Sequence, residues 1–273
     1  MKFARYPGSI RARLASLEGL TGLAGQAVPA SLSERFGMFG LTVLRGVADV
    51  FYPPLCLICQ HAPVGPRERI CAGCRSTMRS VDPSHPLRRE AEAKLTSGGT
   101  VDGFLPLFLF EKEGALQQAL HLMKYSGMHS LGAMFGREMG ARMASMPGYR
   151  AADCLVPVPL HSARRRERGY NQSERICSGI GEVTGKPILT GTLLRRRNTP
   201  SQTALKLHER EDNVKGAFRV PRGREKLLRG KSVILVDDVM TTGSTLLACA
   251  DALRAAGARA ILVATVAVAD RTS

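Results

Sequence analysis

The stretch Val233 to Thr245, which is VILVDDVMTTGST, decides the fold of this chain. Residues Ser232 to Val236 form a short apolar run rich in β-branched side chains, which predicts a buried parallel strand. The apolar residues that follow recur at helical spacing as far as Gly257, and they are Leu246, Leu247, Ala250, Leu253 and Ala256. Two carboxylates and a loop of hydroxyl residues therefore join a strand to a helix.

The loop between this strand and this helix is suited to an anion. Thr241, Thr242, Gly243, Ser244 and Thr245 place hydroxyls and unpaired backbone N–H groups at the positive end of the helix. The segment lacks the Gly-Lys-Ser/Thr ending of a nucleotide-triphosphate loop, and adjacent carboxylates repel a bare triphosphate. We therefore predict a ribose phosphate, with its 5′-phosphate in the loop. Asp237 and Asp238 would bind either the ribose hydroxyls or water on Mg²⁺. The alternative is an ordinary strand–turn–helix with a capping Thr or Ser.

Composition limits the classes of protein to which the chain can belong. With 273 residues, 44% of them hydrophobic, the chain has room for one medium α/β domain and a small module. The net charge of +16 favours polyanionic ligands, either pyrophosphate or nucleic acid. No apolar run reaches about 18 residues, so we expect no membrane span. The chain has no Trp, so binding to nucleic acid would depend on backbone charge more than on base stacking.

Four of the seven cysteines form two pairs, Cys56-Leu-Ile-Cys59 and Cys71-Ala-Gly-Cys74, with eleven residues between them. Four thiolates satisfy tetrahedral Zn²⁺ and leave no open position, so we predict a structural zinc site. A redox pair or ordinary core cysteines are the alternatives. The odd number and uneven spacing argue against a disulfide framework and indicate a reducing compartment, so we expect a cytoplasmic protein. We expect Cys154, Cys177 and Cys249 to be core residues.

These patterns predict four segments. Residues 1–48 carry six basic and two acidic residues and form a basic, flexible N-terminal extension. The short amphipathic helix expected from Phe36 to Tyr52 makes Met38 a candidate alternative start. Residues 49–80 form the four-Cys zinc module, and residues 81–100, rich in Pro, Ser and Gly, form a linker. Residues 101–273 form the main domain.

Two basic stretches lie within the main domain. A strand over Cys154 to Pro159 is followed by a cationic loop that contains Arg164, Arg165, Arg166 and Arg168, and Asn171 then caps a helix. Because Arg matches pairs of phosphate oxygens, this loop is a natural place for pyrophosphate, and a solvated charge run is the alternative. Further along lies a polar stretch with Arg195, Arg196, Arg197, Thr199, Gln202, Arg210 and Asn213. It is either a loop that closes over a substrate or a passive surface loop.

The segment VILVDDVMTTGST resembles the phosphoribosyl-pyrophosphate (PRPP) binding motif of type I phosphoribosyltransferases. Two further pieces accompany it, LVPVPLHSARRRERGYNQ (155–172) and RRRNTPSQTALKLHEREDNVKGAF (195–218). Together with the four-Cys module, these pieces resemble the ComF family of bacterial competence-associated phosphoribosyltransferase-like proteins over about residues 49 to 270. The resemblance implies an α/β fold with a doubly wound parallel sheet and a small, zinc-ribbon-like N-terminal module.

The resemblance also implies roles for individual residues. Asp237 to Thr245 would bind PRPP together with Mg²⁺, and Asp237, Asp238 and Arg168 would be the catalytic set. The pyrophosphate would bind to Arg168, Gly169, Asn171 and Gln172, and a flexible family-specific loop would contain Thr199, Gln202, Arg210 and Asn213. Thr241 occupies the position at which 6-oxopurine salvage enzymes have an Asp that acts on the purine ring. Hypoxanthine and guanine are therefore disfavoured as substrates.

Two functions remain open from the sequence. The first is a phosphoribosyltransferase that acts on PRPP, with an acceptor that the sequence does not identify. The second is a non-catalytic single-stranded DNA-binding protein that uses the zinc module and the basic surface, since the family is linked to incoming DNA during natural transformation. PRPP or another ribose-5-phosphate ligand, single-stranded DNA and a second copy of the chain are the candidate partners.

Overall fold

The centre of the fold is a four-stranded parallel sheet, seen in a computed structural model that describes residues 54–65, 67–195 and 216–269. The described residues belong to one compact unit that spans residues 53–273. The strands are β1 (Gly103–Leu109), β2 (Cys154–Pro157), β3 (Leu194–Arg195), β4 (Phe218–Arg219), β5 (Ser232–Met240) and β6 (Ala260–Val268). The large sheet has the order β1-β6-β5-β2, and β3 pairs with β4 in a separate antiparallel ribbon.

Helices cover both faces of the large sheet. They are α1 (Ala72–Ser76), α2 (Pro86–Thr96), α3 (Ala115–Tyr125), α4 (His129–Ala144), α5 (Pro147–Ala151), α6 (Ser162–Arg168), α7 (Gln172–Thr184) and α8 (Ser244–Ala255). One core lies under α3, α4 and α7, and the other lies under α2 and α8. The sheet is thus doubly wound, which confirms the predicted α/β fold class.

Strand β5 shows why a continuous apolar run predicts this architecture. Ile234 and Val236 belong to the core under α3, α4 and α7, whereas Val233 and Leu235 belong to the core under α2 and α8. All four side chains are fully buried. A strand buried on both faces cannot alternate apolar with polar residues, as it would in a sheet with one wet face.

The Cys-rich segment packs directly on the sheet domain. Cys56, Val64, Ile70 and Met78 are buried in the same core as α3, α4 and α7. The chain then pairs with the outer edge of β1, since the Val81 N–H donates to the Leu107 carbonyl at 3.0 Å and the Leu109 N–H donates to the Arg79 carbonyl at 2.9 Å. The module therefore covers one edge of the large sheet.

The structure differs from the sequence-based expectation in two segments. Residues 81–100, expected to be a linker, contain α2, whose Leu95 is fully buried and whose Ala91 is nearly so. Charged residues dominate the sequence of α2, so its narrow apolar face does not stand out as a helical pattern. The arginines from Arg164 to Arg168, expected in a loop, lie in the short helix α6, which ends at Gly169 with φ of 76°.

The predicted N-terminal extension, residues 1–48, lies outside the described residues, as does the helix expected from Phe36 to Tyr52. The helices of the described part include none that is long and apolar enough to cross a membrane. The predictions for the remaining cysteines are confirmed, because Cys154, Cys177 and Cys249 are all buried.

Candidate functional site

The two carboxylates lie near the C-terminal end of β5, which continues through both of them to Met240. Asp237 and Asp238 are partly buried. The Asp237 Oδ1 atom accepts a hydrogen bond from Ser173 Oγ at 3.0 Å and another from the Asp238 N–H at 2.9 Å. Because Ser173 lies in the first turn of α7, this contact joins the end of β5 to the segment that follows β2.

The two adjacent carboxylates have different electrostatic surroundings. Burial, together with the neighbouring charge of Asp238, raises the pKa of Asp237 to about 7, against the lowering effect of its two hydrogen bonds and of Lys124. Asp238 forms an ion pair with Lys124, whose Nζ lies 2.9 Å from Oδ2. The site therefore holds one carboxylate with a direct cationic partner and another that takes up a proton near neutral pH.

The Thr/Ser loop begins α8 as predicted. Gly243, the residue before the helix, has φ of 80°, and the N–H of Leu247 donates to its carbonyl at 2.9 Å. The hydroxyls of Thr242 and Ser244 are 2.8 Å apart. The positive φ favours glycine at this position, and a Cβ atom would lie 3.0 Å from Met240 Cε and 3.3 Å from Leu95 Cδ2, so these two side chains would have to shift slightly.

The turn between α6 and α7 carries the residues assigned to pyrophosphate. Asn171 is buried and caps α7, because its Oδ1 accepts from the Ser173 N–H at 3.1 Å and its Nδ2 donates to the Val158 carbonyl at 3.0 Å. Arg168 lies against Tyr125, with its guanidinium carbon 5.1 Å from the ring centroid. Two buried donors of this turn, Arg168 Nε and Gln172 Nε2, have no hydrogen-bond partner among the residues that the structure describes. A ligand or a water molecule that accepts hydrogen bonds would satisfy these two donors.

The last turn of α3 is held by the same α6–α7 turn. The Tyr170 hydroxyl donates a hydrogen bond to the carbonyl of Met123, and Arg168 Nη2 lies 3.5 Å from the Tyr125 hydroxyl. Lys124 lies between these two anchored residues. The segment that follows β2 thus fixes the backbone from which Lys124 reaches Asp238.

The structure brings most of the predicted site residues to one region, through the Ser173–Asp237 bond. Asp237 and Asp238 lie next to the α6–α7 turn, and the Thr241–Thr245 loop follows them directly along the chain. Thr199, Gln202, Arg210 and Asn213 lie outside the described residues, in the segment that joins β3 to β4. Sequence reasoning missed Ser173 and Lys124. A Lys in the last turn of a helix has an ordinary role beside the helix dipole, and no local signal marks it as part of a distant site.

The four module cysteines form a second cluster. Their Sγ atoms all lie within 4.8 Å of one another, and Cys59 and Cys71 Sγ are 3.8 Å apart. Tetrahedral zinc with bonds of about 2.3 Å sets sulfur atoms about 3.8 Å apart, whereas a disulfide needs about 2.0 Å. Burial raises the pKa of Cys56, but backbone N–H groups, above all that of Cys71, outweigh it and lower this pKa to about 6. None of the seven cysteines is in a disulfide. The cluster is a possible metal site.

Comparisons with known proteins agree with this geometry. Residues 185–273 match the family described as "Phosphoribosyl transferase domain". A DNA utilization protein, YhgH, of Salmonella typhimurium is 33% identical over 54% of this chain and 65% of its own length. Competence protein F of Haemophilus influenzae is 34% identical over 41% of this chain and 48% of its own, and competence protein ComFC of Bacillus subtilis is 30% identical over 34% of each. The chain thus spans less than two thirds of the length of these relatives.

Three observations point to one family. The doubly wound parallel sheet carries paired carboxylates and a Thr/Ser loop on β5, the four-Cys cluster packs on that sheet, and the matched relatives are competence and DNA utilization proteins. Together these findings support membership of the ComF family of phosphoribosyltransferase-like proteins.

Proposed function

We propose that this protein binds PRPP together with Mg²⁺ and acts in the uptake or use of DNA. The proposal of PRPP as the ligand rests on two buried donors without hydrogen-bond partners, Arg168 Nε and Gln172 Nε2. They lie in the α6–α7 turn, and Ser173, just after this turn, donates a hydrogen bond to Asp237. Donors without partners beside paired carboxylates suit a ligand that is anionic at one end and rich in hydroxyls at the other. A ribose that carries pyrophosphate has both properties. The names of the relatives support the link to DNA.

Each part of the site has one role in this proposal. The Thr241–Thr245 loop receives the 5′-phosphate, and Asp237 and Asp238 accept hydrogen bonds from the ribose hydroxyls. Arg168 and Gln172 donate to the pyrophosphate. Asn171 shapes this turn, because its side chain is already bonded within the protein, and Gly169 permits the sharp end of α6.

If transfer of the phosphoribosyl group takes place, these residues act mainly by position and charge. Bound Mg²⁺ would supply positive charge to the pyrophosphate as it leaves. Arg168 would stabilise the same departing negative charge, while the two carboxylates hold the ribose in place.

Calorimetry with PRPP and Mg²⁺ tests the ligand. We expect saturable binding to the unaltered protein, and we expect Asp238→Asn to weaken it by about tenfold or more because a hydrogen bond to a charged acceptor is lost. Glu225→Gln is the matched control, since Glu225 lies before β5, at the opposite end of that strand. Absence of saturable binding to the unaltered protein would refute the proposal. An equal loss of PRPP affinity in both variants would show that Asp238 does not contact the ligand.

We also propose that the four cysteines hold structural Zn²⁺. Four thiolates complete its tetrahedral shell, so the metal would have no position open for substrate. Cys59→Ser should lower the zinc content of purified protein, as measured by elemental analysis, whereas Cys249→Ala should leave it at one ion per chain. Full zinc content in Cys59→Ser would contradict this assignment.

Binding of single-stranded DNA is a second candidate function. Helix α6 carries four arginines and one glutamate, and Arg165 and Arg166 are exposed. Arg164→Ala combined with Arg165→Ala should weaken DNA binding, and the salt dependence of binding should become shallower. Asp237→Asn should leave DNA affinity nearly unchanged. If DNA binding depends on Asp237 as strongly as PRPP binding does, the two functions share one site.

A further inference from the structure

Lys124 lies at the end of α3, a helix that was not predicted to belong to the site, and its Nζ lies 2.9 Å from Asp238 Oδ2. Both side chains are largely shielded from water, with 26% and 14% of their areas exposed. An ion pair in such surroundings is screened less than one on the open surface. The contact is therefore a substantial part of the electrostatics of the site.

The position of Lys124 is fixed by its neighbours on both sides. The carbonyl of Met123 accepts the hydrogen bond of the buried Tyr170, and Tyr125 lies against Arg168. Both contacts come from the α6–α7 turn, to which the proposed function assigns the pyrophosphate. The same turn thus positions Lys124 and provides the unpaired donors Arg168 Nε and Gln172 Nε2.

We infer that Lys124 is a positioning residue that acts as the resident counter-ion of Asp238 and prevents a divalent cation from binding there without a ligand. This inference rests on the proposed function, because it concerns the same pair of carboxylates. Two adjacent carboxylates attract a divalent cation strongly, and a lysine ammonium 2.9 Å from one of them opposes that attraction. The cation must then arrive with the negative charge of pyrophosphate, and Asp238 stays oriented for the ribose.

Titration of zinc-replete protein with Mn²⁺ alone tests this inference, with free Mn²⁺ followed by electron paramagnetic resonance. Lys124→Met should bind Mn²⁺ about tenfold or more tightly than the unaltered protein, as expected for removal of one positive charge about 5 Å from a divalent ion even at the dielectric constant of water. Lys124→Arg keeps the charge and should behave as the unaltered protein does. Lys226→Met removes an exposed lysine before the start of β5 and should have no effect.

The double variant Lys124→Met with Asp238→Asn tests whether the gain in Mn²⁺ affinity arises at Asp238. It should lose the gain in Mn²⁺ affinity, because the freed carboxylate is gone. Unchanged Mn²⁺ affinity in Lys124→Met, or a gain that persists in the double variant, would overturn the inference. Lys124→Gln provides the same measurement if the Met variant does not fold.

The outcomes also separate this inference from the proposed function. If the unaltered protein binds PRPP with Mg²⁺ but Lys124→Met gains no affinity for Mn²⁺, the function stands and the inference fails. If PRPP does not bind but the Asp238-dependent gain in Mn²⁺ affinity appears, the counter-ion role of Lys124 stands and PRPP is not the ligand.

Discussion

At the scale of single residues, neighbours in the sequence have different chemistry in the fold. Asp237 is desolvated and lies beside the charge of Asp238, whereas Asp238 has Lys124 as a direct partner. The sequence predicted that both carboxylates belong to a site, because their place after an apolar strand is a local pattern. It could not predict that the pKa of Asp237 is raised, because this depends first on how deeply the folded chain buries that carboxyl.

We predict that Asp237→Asn stabilises the protein at pH 8 and has a smaller effect at pH 5. The pKa of Asp237 is raised to about 7 in the folded protein, from a usual value of 3.8. Its favourable contribution to stability is therefore fully present below about pH 4 and is lost as the pH rises through about 7. Asparagine avoids the buried charge and keeps an oxygen that can accept from Ser173. We expect a gain of about 1 to 3 kcal/mol at pH 8.

Thermal unfolding at several pH values measures this gain. The difference in Tm between Asp237→Asn and the unaltered protein should widen from pH 5 to pH 8. Glu225→Gln should show no such trend. A difference that is constant over this range, or one that reverses, would contradict the raised pKa.

At the scale of elements, α4 and α7 approach each other so closely that only glycine fits between them. A Cβ atom on Gly136 would lie 2.1 Å from the carbonyl oxygen of Ile176, and one on Gly179 would lie 2.1 Å from that of Ala133. Both contacts are with backbone, which cannot move aside as a flexible side chain can. Glycine lowers the stability of an isolated helix, so its use here reflects packing.

We predict that Gly136→Ala lowers the free energy of unfolding by about 2 kcal/mol or more, because overpacking forces the two helices apart. Gly181→Ala is the matched control within α7, since its Cβ would have its nearest neighbour at 3.4 Å. That variant should be neutral or more stable, by up to about 1 kcal/mol, through the higher helix propensity of alanine. Urea denaturation followed by circular dichroism measures both. Similar losses in the two variants would show that helix packing is not the cause.

The elements differ in how well the sequence predicts them. The strand at Ala260–Val268 and the helix after Asn171 lie where the patterns place them, since long apolar runs and caps are local signals. Helix α2 was expected to be a linker, because its buried residues Ala91 and Leu95 stand among charged ones. The arginines of α6 were expected in a loop for the same reason: an exposed charged helix has no apolar face to identify it.

At the scale of the whole molecule, the Cys-rich segment and the sheet share one core. Cys56, Ile70 and Met78 are buried with the side chains of α3 and α4. Arg75 forms an ion pair with Glu138 of α4, and Arg69 Nε donates to Ser130 Oγ at 2.9 Å. The two pairs of cysteines were recognised from spacing alone. The packing of the Cys-rich segment on the sheet domain could not be predicted, because it depends on these contacts between distant segments.

If the four cysteines hold Zn²⁺ as proposed, we predict that its removal destabilises the sheet as well as the Cys-rich segment. A chelator should lower the Tm of the whole protein by about 5 °C or more, because about 2 kcal/mol of lost stability has that effect in a domain of this size. Differential scanning calorimetry measures the shift, and restored Zn²⁺ should reverse it. Cys59→Ser should have the lower Tm without chelator and should not respond to it. An unchanged Tm in the chelated protein would contradict a shared core that depends on metal.

The pairing of residues 79–81 with β1 also bears on aggregation of the protein. The Leu107 carbonyl and the Leu109 N–H are satisfied by the chain itself, so the outer edge of β1 offers no free backbone groups at these positions. If the Cys-rich segment came away, this edge would become a template on which the strand of another molecule could add. Loss of metal would then lead to aggregation through intermolecular β-sheet. The Cys-rich segment would thus protect the edge of β1 from pairing with another molecule.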